Sequence, residues 1–251
     1  MRTITMLSLT ALLAVLAQTV SAQTADEIAE KSLAAAGGRA SLAKLKSRHM
    51  TGTVAVSTPR GDLSGTIDMW NEAPNKSRNV MKVDLSAAGL GSAVVDQRFN
   101  GETGYVLDSL QGNREITGSP VDTMKGGFFP TPFLDYKNRG GRVELTGKEK
   151  LADHDVYVVA YTPKIGAPSR WYIDAKSYLP IRTVVKVHVP QLGTDVEQTT
   201  DYSDYRATDG LQLPFKIRNA SPLQTYTVTV MKIEHNVPID EASFSKPAAQ
   251  K

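Results

Sequence analysis

An alternation of apolar and polar residues with a period of two, repeated along most of the chain, restricts the fold more than any other feature. It begins after Arg48, where Met50, Gly52, Val54 and Val56 alternate with largely polar neighbours. Successive side chains of a strand point to opposite faces, so this pattern is typical of half-buried β-strands. The runs follow one another without helical segments between them, which indicates antiparallel strands joined as a meander.

The predicted strands lie around residues 48–56, 63–69, 81–85, 93–99, 105–107, 143–147, 154–162, 170–174, 179–189, 196–205, 213–217 and 225–233. An open twisted sheet rarely holds roughly a dozen strands without curling or splitting. We therefore expect a mainly β protein with a few helices (α+β). Its strongly curved antiparallel sheet would form an incomplete β-barrel capped by short helices.

The N-terminus has the pattern of an export signal. A positive start, Met1-Arg2, precedes an apolar run from Met6 to Ala17 and the small-residue site Val20-Ser21-Ala22. This order is typical of a secretory signal peptide, and the run is too short to span a membrane. We predict that residues 1–22 are a signal peptide cleaved after Ala22, and that the protein is periplasmic. The alternative is an N-terminal core helix.

The mature chain, residues 23–251, is predicted to be one domain. The segment from Thr24 to Glu27 forms a capping box, and the helix that follows stops at Gly37-Gly38. A second short helix is expected around residues 40–45. Because the chain has no cysteine, its stability must come from a packed core and not from disulfides.

The segment 110–141 lacks the period of two and carries two glycines and two prolines close together. It also holds four large apolar side chains, namely Phe128, Phe129, Phe133 and Leu134. Long insertions in compact domains are usually functional or disordered, and these side chains argue against disorder. We predict a long loop with a short helix that lies over the sheet as a lid.

The sequence shows no recognisable catalytic or metal-binding motif. The four histidines are far apart, match no metal-ligand spacing and are expected on strand surfaces. Asp201, Asp204 and Asp209 form the densest polar group, which we interpret as a strand end and a tight turn and not as a calcium site. The net charge of +3 is spread along the chain, without the basic block typical of nucleic-acid binding. We expect no enzyme activity, no cofactor and no nucleic-acid partner.

A curved sheet has a concave face, which forms a pocket unless a helix or loop fills it. The candidate residues for this face are Met50, Val54, Met69, Met81, Val83, Val185, Val187, Phe215 and Ile217. Methionines on adjacent strands would give an adaptable wall for variable acyl chains. Packing of the same residues against the N-terminal helix is an equally good explanation at this point.

Several short motifs occur in a distinctive order. They are Gly61-Asp62-Leu63-Ser64-Gly65-Thr66-Ile67 leading to Pro74; Asn100-Gly101-Glu102-Thr103-Gly104-Tyr105; Ile173-Asp174-Ala175-Lys176-Ser177-Tyr178-Leu179-Pro180-Ile181-Arg182; Tyr202-Ser203-Asp204-Tyr205-Arg206 with Asp209-Gly210 and Leu213-Pro214; and Phe244-Ser245-Lys246-Pro247. In this order, after an N-terminal helix, they resemble the periplasmic lipoprotein-carrier family, the LolA-like and outer-membrane lipoprotein-sorting proteins.

The resemblance implies an incomplete barrel whose apolar hollow holds acyl chains under a lid. The protein would then be a carrier or binder in outer-membrane lipoprotein or lipid trafficking. Its partners would be a lipid or lipidated protein and membrane-associated donor or acceptor proteins, and it would act as a monomer. The alternative is a periplasmic protein-interaction or sensor module on the same fold, without lipid transport.

One departure from the family pattern concerns the lid. Carriers of this family often have a basic pair before the proline, where an arginine helps to latch the lid. Here the residues are Glu72-Ala73-Pro74, with Arg78 only downstream. Ala73 has no side-chain donor for such a latch.

Overall fold

The computed structural model describes residues 23–58, 61–189, 193–222 and 224–247, so the predicted signal peptide lies outside the described residues. Within these ranges the α-helices are α1 (Ala25–Ala35), α2 (Arg39–Ala43) and α3 (Ser119–Gly126). Short 3-10 turns cover Ser86–Ala88, Pro132–Leu134 and Glu241–Phe244. The strands in the same ranges are β1 (Ser47–Thr58), β2 (Gly61–Glu72), β3 (Lys76–Asp84), β4 (Ser92–Phe99), β5 (Gly104–Asp108), β6 (Arg114–Ile116), β7 (Arg142–Leu151), β8 (His154–Thr162), β9 (Ser169–Asp174), β10 (Pro180–Val189), β11 (Thr194–Thr208), β12 (Leu211–Ala220) and β13 (Thr225–His235).

All of these strands belong to one sheet, in the order β6-β5-β4-β3-β2-β1-β13-β12-β11-β10-β9-β8-β7. Neighbours pair antiparallel, and β1 pairs with both β2 and β13. Two meanders, β1 to β6 and β7 to β13, are therefore joined where the first strand meets the last. The sheet is open, because β6 and β7 lie at the two ends of the strand order in the described part of the chain. The predicted incomplete antiparallel barrel is confirmed.

The predicted elements match the observed ones apart from a short strand. Strand β6 was missed because its three residues, Arg114–Ile116, are too few to show an alternation. The capping box is present: the Thr24 hydroxyl accepts from the Glu27 amide at 3.2 Å, and the Glu27 carboxylate accepts from the Thr24 amide at 2.9 Å. Helix α2 ends at Ala43, two residues before the predicted end.

Two turns show why their motifs take the residues they do. The Asn100 side-chain oxygen accepts from the amides of Glu102 at 3.0 Å and Thr103 at 2.8 Å, which closes the turn between β4 and β5. The Asp174 carboxylate accepts from the amides of Lys176 at 3.1 Å and Ser177 at 2.6 Å, and holds the turn between β9 and β10. Each side chain takes the place of a backbone carbonyl.

The helices cover part of one face of the sheet, which we call the inner face and define by Leu211, Leu213, Phe215 and Ile217 of β12. The first core cluster lies there. It joins helix residues to β8, β9, β12 and the segment after α3, through Ile28, Leu33, Leu42, Leu45, Phe129, Phe133, Tyr136, Tyr157, Val159, Tyr161, Ile173, Leu211 and Leu213. Helices α1 and α2 therefore bury their apolar sides against the second meander.

A second cluster occupies the inner face at the joint between the meanders. Met50, Val54, Ile67, Val228 and Val230 are buried there, and Ile233 packs against both this cluster and the first. Among the described residues this second cluster contains no helix residue. The helices thus fill the hollow of the sheet unevenly.

We expect Phe133→Ala to lower the free energy of unfolding by about 3–5 kcal/mol, the usual cost of removing a fully buried phenylalanine. Phe133 is 2% exposed and its ring centre lies 5.0 Å from that of Trp171. Urea denaturation measures the change. Phe128→Ala is the matched control. Phe128 is only half-buried and stacks under Arg139, so it should cost about 1 kcal/mol. Equal costs for the two would contradict this packing.

We expect stability to fall as the pH drops from about 4 toward 2, in part because of Asp174. Burial raises the pKa of this carboxyl, but hydrogen bonds from Ser177, His154 and Lys176 outweigh burial and lower its pKa to about 2. A carboxyl with a depressed pKa stabilises the fold at higher pH and loses that effect on protonation.

Asp174→Ala should therefore cost about 2 kcal/mol at neutral pH, since it leaves several donors unpaired. The variant should also lose less stability than the unmodified protein between pH 4 and pH 2. Urea midpoints at the two pH values measure both effects. Asp155→Ala, at an exposed position on β8, is the control and should change neither.

Candidate functional site

The predicted lid segment, residues 110–141, connects the two open ends of the sheet. It contains β6, α3 and the 3-10 turn Pro132–Leu134, so the expected loop with a short helix is found together with an unforeseen strand. On one side of α3, the Lys125 carbonyl accepts from the Asn75 side chain at 3.4 Å, and the Lys125 ammonium pairs with Glu102 at 3.3 Å. On the other side, a β-carbon at Gly126 would lie 2.2 Å from the Ile165 carbonyl oxygen. Helix α3 therefore bridges the first meander and the loop between β8 and β9.

The second half of the lid is held by polar contacts to the N-terminal helices. The Tyr136 hydroxyl donates to Asp26, and the Lys137 ammonium lies 2.8 Å from the same carboxylate. Hydrogen bonds from Lys137 and Tyr136 lower the pKa of Asp26. The guanidinium of Arg39 donates to the Leu134 carbonyl and to Glu30. These contacts fix the lid to α1 and α2.

The lid segment is also attached at Ala73-Pro74, where the sequence departs from the family pattern. The Phe129 amide donates to the Pro74 carbonyl at 2.8 Å, so the backbone supplies a contact that the Ala73 side chain cannot. Phe129 is 7% exposed and its ring lies against Arg48 of β1, with 5.1 Å between the guanidinium carbon and the ring centre. The predicted lid segment therefore rests on β1 and on the turn after β2.

The structure brings together six of the candidate residues of the concave face. They belong to the second cluster and are Met50, Val54, Met69, Met81, Phe215 and Ile217. Val83, Val185 and Val187 are half-buried and lie outside the clusters of the described residues. Of the lid residues, Phe129, Phe133 and Leu134 belong to the first cluster, whereas Phe128 stacks under Arg139 with 3.9 Å between the guanidinium carbon and the ring centre. The N-terminal helix α1 belongs to the first cluster and not to the second. Packing against this helix therefore does not explain the burial of the six residues of the second cluster.

Two largely apolar cavities lie along the inner face. The first, of about 210 Å³, lies between the helices, the lid and the second meander, and its wall includes Leu33, Leu42, Phe133, Trp171 and Leu213. The second, of about 190 Å³, lies on the second cluster. Its wall includes Ile67, Met69, Met81, Ile217 and Val228, together with the amide side chains of Asn79, Gln97 and Asn219. Both could hold an apolar group in the closed structure.

A third cavity, of about 290 Å³, is more polar and shares Arg48 with the first. Its wall includes the side chains of Asn71, Asn75 and Ser77, together with Phe128 and Phe129 of the lid. Arg48 therefore stands where an apolar space and a polar space meet.

Sequence reasoning missed Arg48, although a signal was present. Arg48 precedes Met50 by two residues in the alternation of β1, so its side chain is directed to the same face. A charged residue at an inward position of an otherwise apolar stripe is unusual and calls for a partner. We also missed Trp171, Tyr202 and Leu213, which line the first cavity.

The histidines and aspartates form local pairs in place of a metal centre. His49 lies 3.3 Å from Asp68, His154 2.7 Å from Asp174, His188 3.0 Å from Asp195 and His235 2.9 Å from Asp209. The expected surface position is wrong for His235, whose side chain is only 6% exposed because it packs at the end of β13. Among the described residues no group of three such side chains could hold a metal ion.

Of the three aspartates in this group, Asp209 lies in the turn between β11 and β12, whereas Asp201 and Asp204 lie in β11 and bind arginines. Asp209 and Gly210 both have positive φ angles, 51° and 78°, as the predicted hairpin turn requires. Asp201 accepts from Arg182 at 2.5 Å and Arg218 at 3.4 Å, and Asp204 accepts from Arg206 at 3.0 Å. The interpretation as a tight turn is confirmed for Asp209, whereas Asp201 and Asp204 lie within β11, which extends to Thr208.

In the part of the chain that the structure describes, no helix is long and apolar enough to cross a membrane. No protein-family model and no curated protein sequence matches the chain.

Solved structures do resemble it. A LolA superfamily protein from Nitrosomonas europaea superposes with a TM-score of 0.55 at 14% identity, over 90% of this chain and 99% of that one. A DUF1329 family protein from Desulfovibrio piger gives 0.54 at 13% identity, over 88% and 97%. A domain named for outer membrane lipoprotein sorting, from Vibrio parahaemolyticus, gives 0.53 at 13% identity, over 88% and 95%. At these identities the likeness concerns the fold, and the resemblance expected from the motifs is confirmed at that level: this chain has the LolA-like fold.

Proposed function

We propose that this protein is an exported, periplasmic binder of acyl chains, which carries a lipid or the lipid anchor of a protein in the hollow of its sheet. The proposal rests on one observation above all. The second cluster borders a cavity of about 190 Å³, whose wall is mainly apolar and also includes Asn79, Gln97 and Asn219, and among the described residues no helix residue belongs to that cluster. The fold likeness and the signal-like residues 1–22 support the proposal.

The energetics favour such a role. Each buried methylene group contributes about 0.8 kcal/mol, so one long acyl chain gains on the order of 10 kcal/mol before the costs of association. A wall that includes Met50, Met69 and Met81 adapts to chains of different shape, because methionine is unbranched and polarizable. The lid would keep water from the bound chain. On this proposal the protein is a carrier and not an enzyme.

The proposed ligand-binding set keeps all the residues named from the sequence. They are Met50, Val54, Met69, Met81, Val83, Val185, Val187, Phe215 and Ile217 on the sheet and Phe128, Phe129, Phe133 and Leu134 on the lid. Because Phe129 and Phe133 are buried in the first cluster, they would shape the closed cavity and also stabilise the fold.

The alternative, a protein-interaction or sensor module, has less support. A partner strand could add to an exposed sheet edge, but natural edges that carry many charges resist such pairing. The outermost strand β7 carries Arg142, Glu144, Lys148, Glu149 and Lys150. The opposite outer strand, β6, is three residues long.

We expect delipidated protein to take up a fluorescent fatty acid, with a rise in probe emission as the probe leaves water. The titration should saturate near one probe per chain and reverse on addition of an unlabelled fatty acid. Native mass spectrometry of protein purified from its periplasm, followed by lipid extraction, tests the same point. Failure of uptake, together with an apo mass and a stoichiometric protein partner, would favour the interaction module.

We expect Met81→Gln to weaken fatty-acid binding by about tenfold, because a polar amide replaces part of the apolar wall. Its matched control is Met231→Gln, the same change on β13 at a side chain that is 71% exposed. The control should bind as the unmodified protein does. The same titration compares the two variants, and equal affinities would place the acyl chain elsewhere than on the second cluster.

A further inference from the structure

The side chain of Arg48 is half-buried and has no counter-charge among the described residues. Its Nε atom is buried and has no hydrogen-bond partner, and no carboxylate among the described residues lies within ion-pair distance of it. Burial lowers the pKa of Arg48 to about 10, so the group still carries its charge at neutral pH. Its neighbours are the Phe129 ring and Tyr202, neither of which neutralises a cation.

Two other basic side chains of β3, the strand that carries Ser77, are already paired. Lys76 lies 2.8 Å from Glu72 and 2.5 Å from Glu241. Arg78 donates twice to Asp96, at 3.0 and 2.8 Å. These pairs show that the fold supplies carboxylates for bases in this region, and Arg48 differs from them.

An unpaired buried charge is costly, and proteins that keep one generally bring it a partner. A guanidinium suits carboxylates and phosphates in particular, because its donors match their oxygen atoms in pairs. The donors of Arg48 are therefore available to an anion that enters from outside the chain.

The position of Arg48 restricts the kind of anion. The apolar cavity under the lid and the polar cavity with Asn71, Asn75 and Ser77 share this residue. A molecule with an apolar tail and a negative head would place its head among the amides and the hydroxyl of the polar space. Its tail would lie on the apolar inner face, where Met50 of the second cluster follows Arg48 by two residues on the same face of β1. A free anion would leave the apolar space unused.

We propose that Arg48 binds the anionic headgroup, a carboxylate or a phosphate, of an amphiphile whose acyl chain lies in the hollow of the sheet. This inference rests on the proposed function and adds the substrate class, because it predicts that anionic amphiphiles bind more tightly than neutral ones.

The test uses three probes of one chain length, namely laurate, dodecyl phosphate and the uncharged 1-dodecanol, with inorganic phosphate as a probe without a tail. Calorimetric titration of the delipidated protein should give affinities for the two anionic amphiphiles at least about tenfold above that for dodecanol. Inorganic phosphate alone should bind far more weakly than dodecyl phosphate.

Arg48→Gln should remove the preference for the anionic probes and leave the affinity for dodecanol unchanged. Arg48→Lys keeps the charge and should retain part of the preference. Arg142→Gln, the same loss of charge at an exposed position on the outermost strand, is the control and should keep all of it. If the Arg48 variants do not fold, the comparison of laurate with dodecanol in the unmodified protein still tests the proposal, because equal affinities would contradict it.

Equal affinities for laurate and dodecanol, or a preference that survives Arg48→Gln, would overturn the headgroup proposal. Inorganic phosphate binding as tightly as dodecyl phosphate would also overturn it, in favour of a free-anion site. Binding of dodecanol without preference would leave the proposed acyl-chain function standing. Binding of none of the amphiphiles would count against both proposals.

Discussion

The pairing of β1 with β13 holds the two ends of the chain together, and the rest of the molecule depends on it. Met50 lies opposite Ile233 and Val54 opposite Val228, so the apolar residues of the two strands form one patch. Without this pairing the two meanders would each expose an apolar face to water. With it they form one open sheet, whose inner face needs more cover than the short helices of the described chain provide.

That cover is distributed unevenly. Helices α1 and α2, with the segment around Phe133, complete the core over the second meander, although a cavity of about 210 Å³ lies between these elements. The joint between the meanders is lined by apolar side chains that pack mainly on one another. A protein built for stability alone would fill such a space, because cavities are destabilising. An unfilled apolar hollow is what a carrier of acyl chains requires.

Local chemistry explains how much of this could be predicted. Features that act within a few positions of the chain can be predicted from the sequence. They include the alternation around Met50 and Val54, the turn residues Asn100 and Asp174, and the capping residue Thr24. Strand β6 was too short to recognise. Arg48 was overlooked because its importance comes from Phe129, which lies far along the chain, and from the absence of a nearby carboxylate, which no local pattern reveals.

The sequence by itself determined the strands other than β6, their antiparallel order, the N-terminal helix and the apolar character of the segment 110–141, since period, turn residues and caps are local properties. It left open whether the helix or a hollow lies against Met69, Met81 and Ile217. Only the tertiary structure decided that the helix packs on Leu211 and Leu213 instead, and that the half-buried Arg48 stands between two cavities. Which surfaces meet depends on how the sheet curves and where its open edges fall, and those follow from all the strand pairings together.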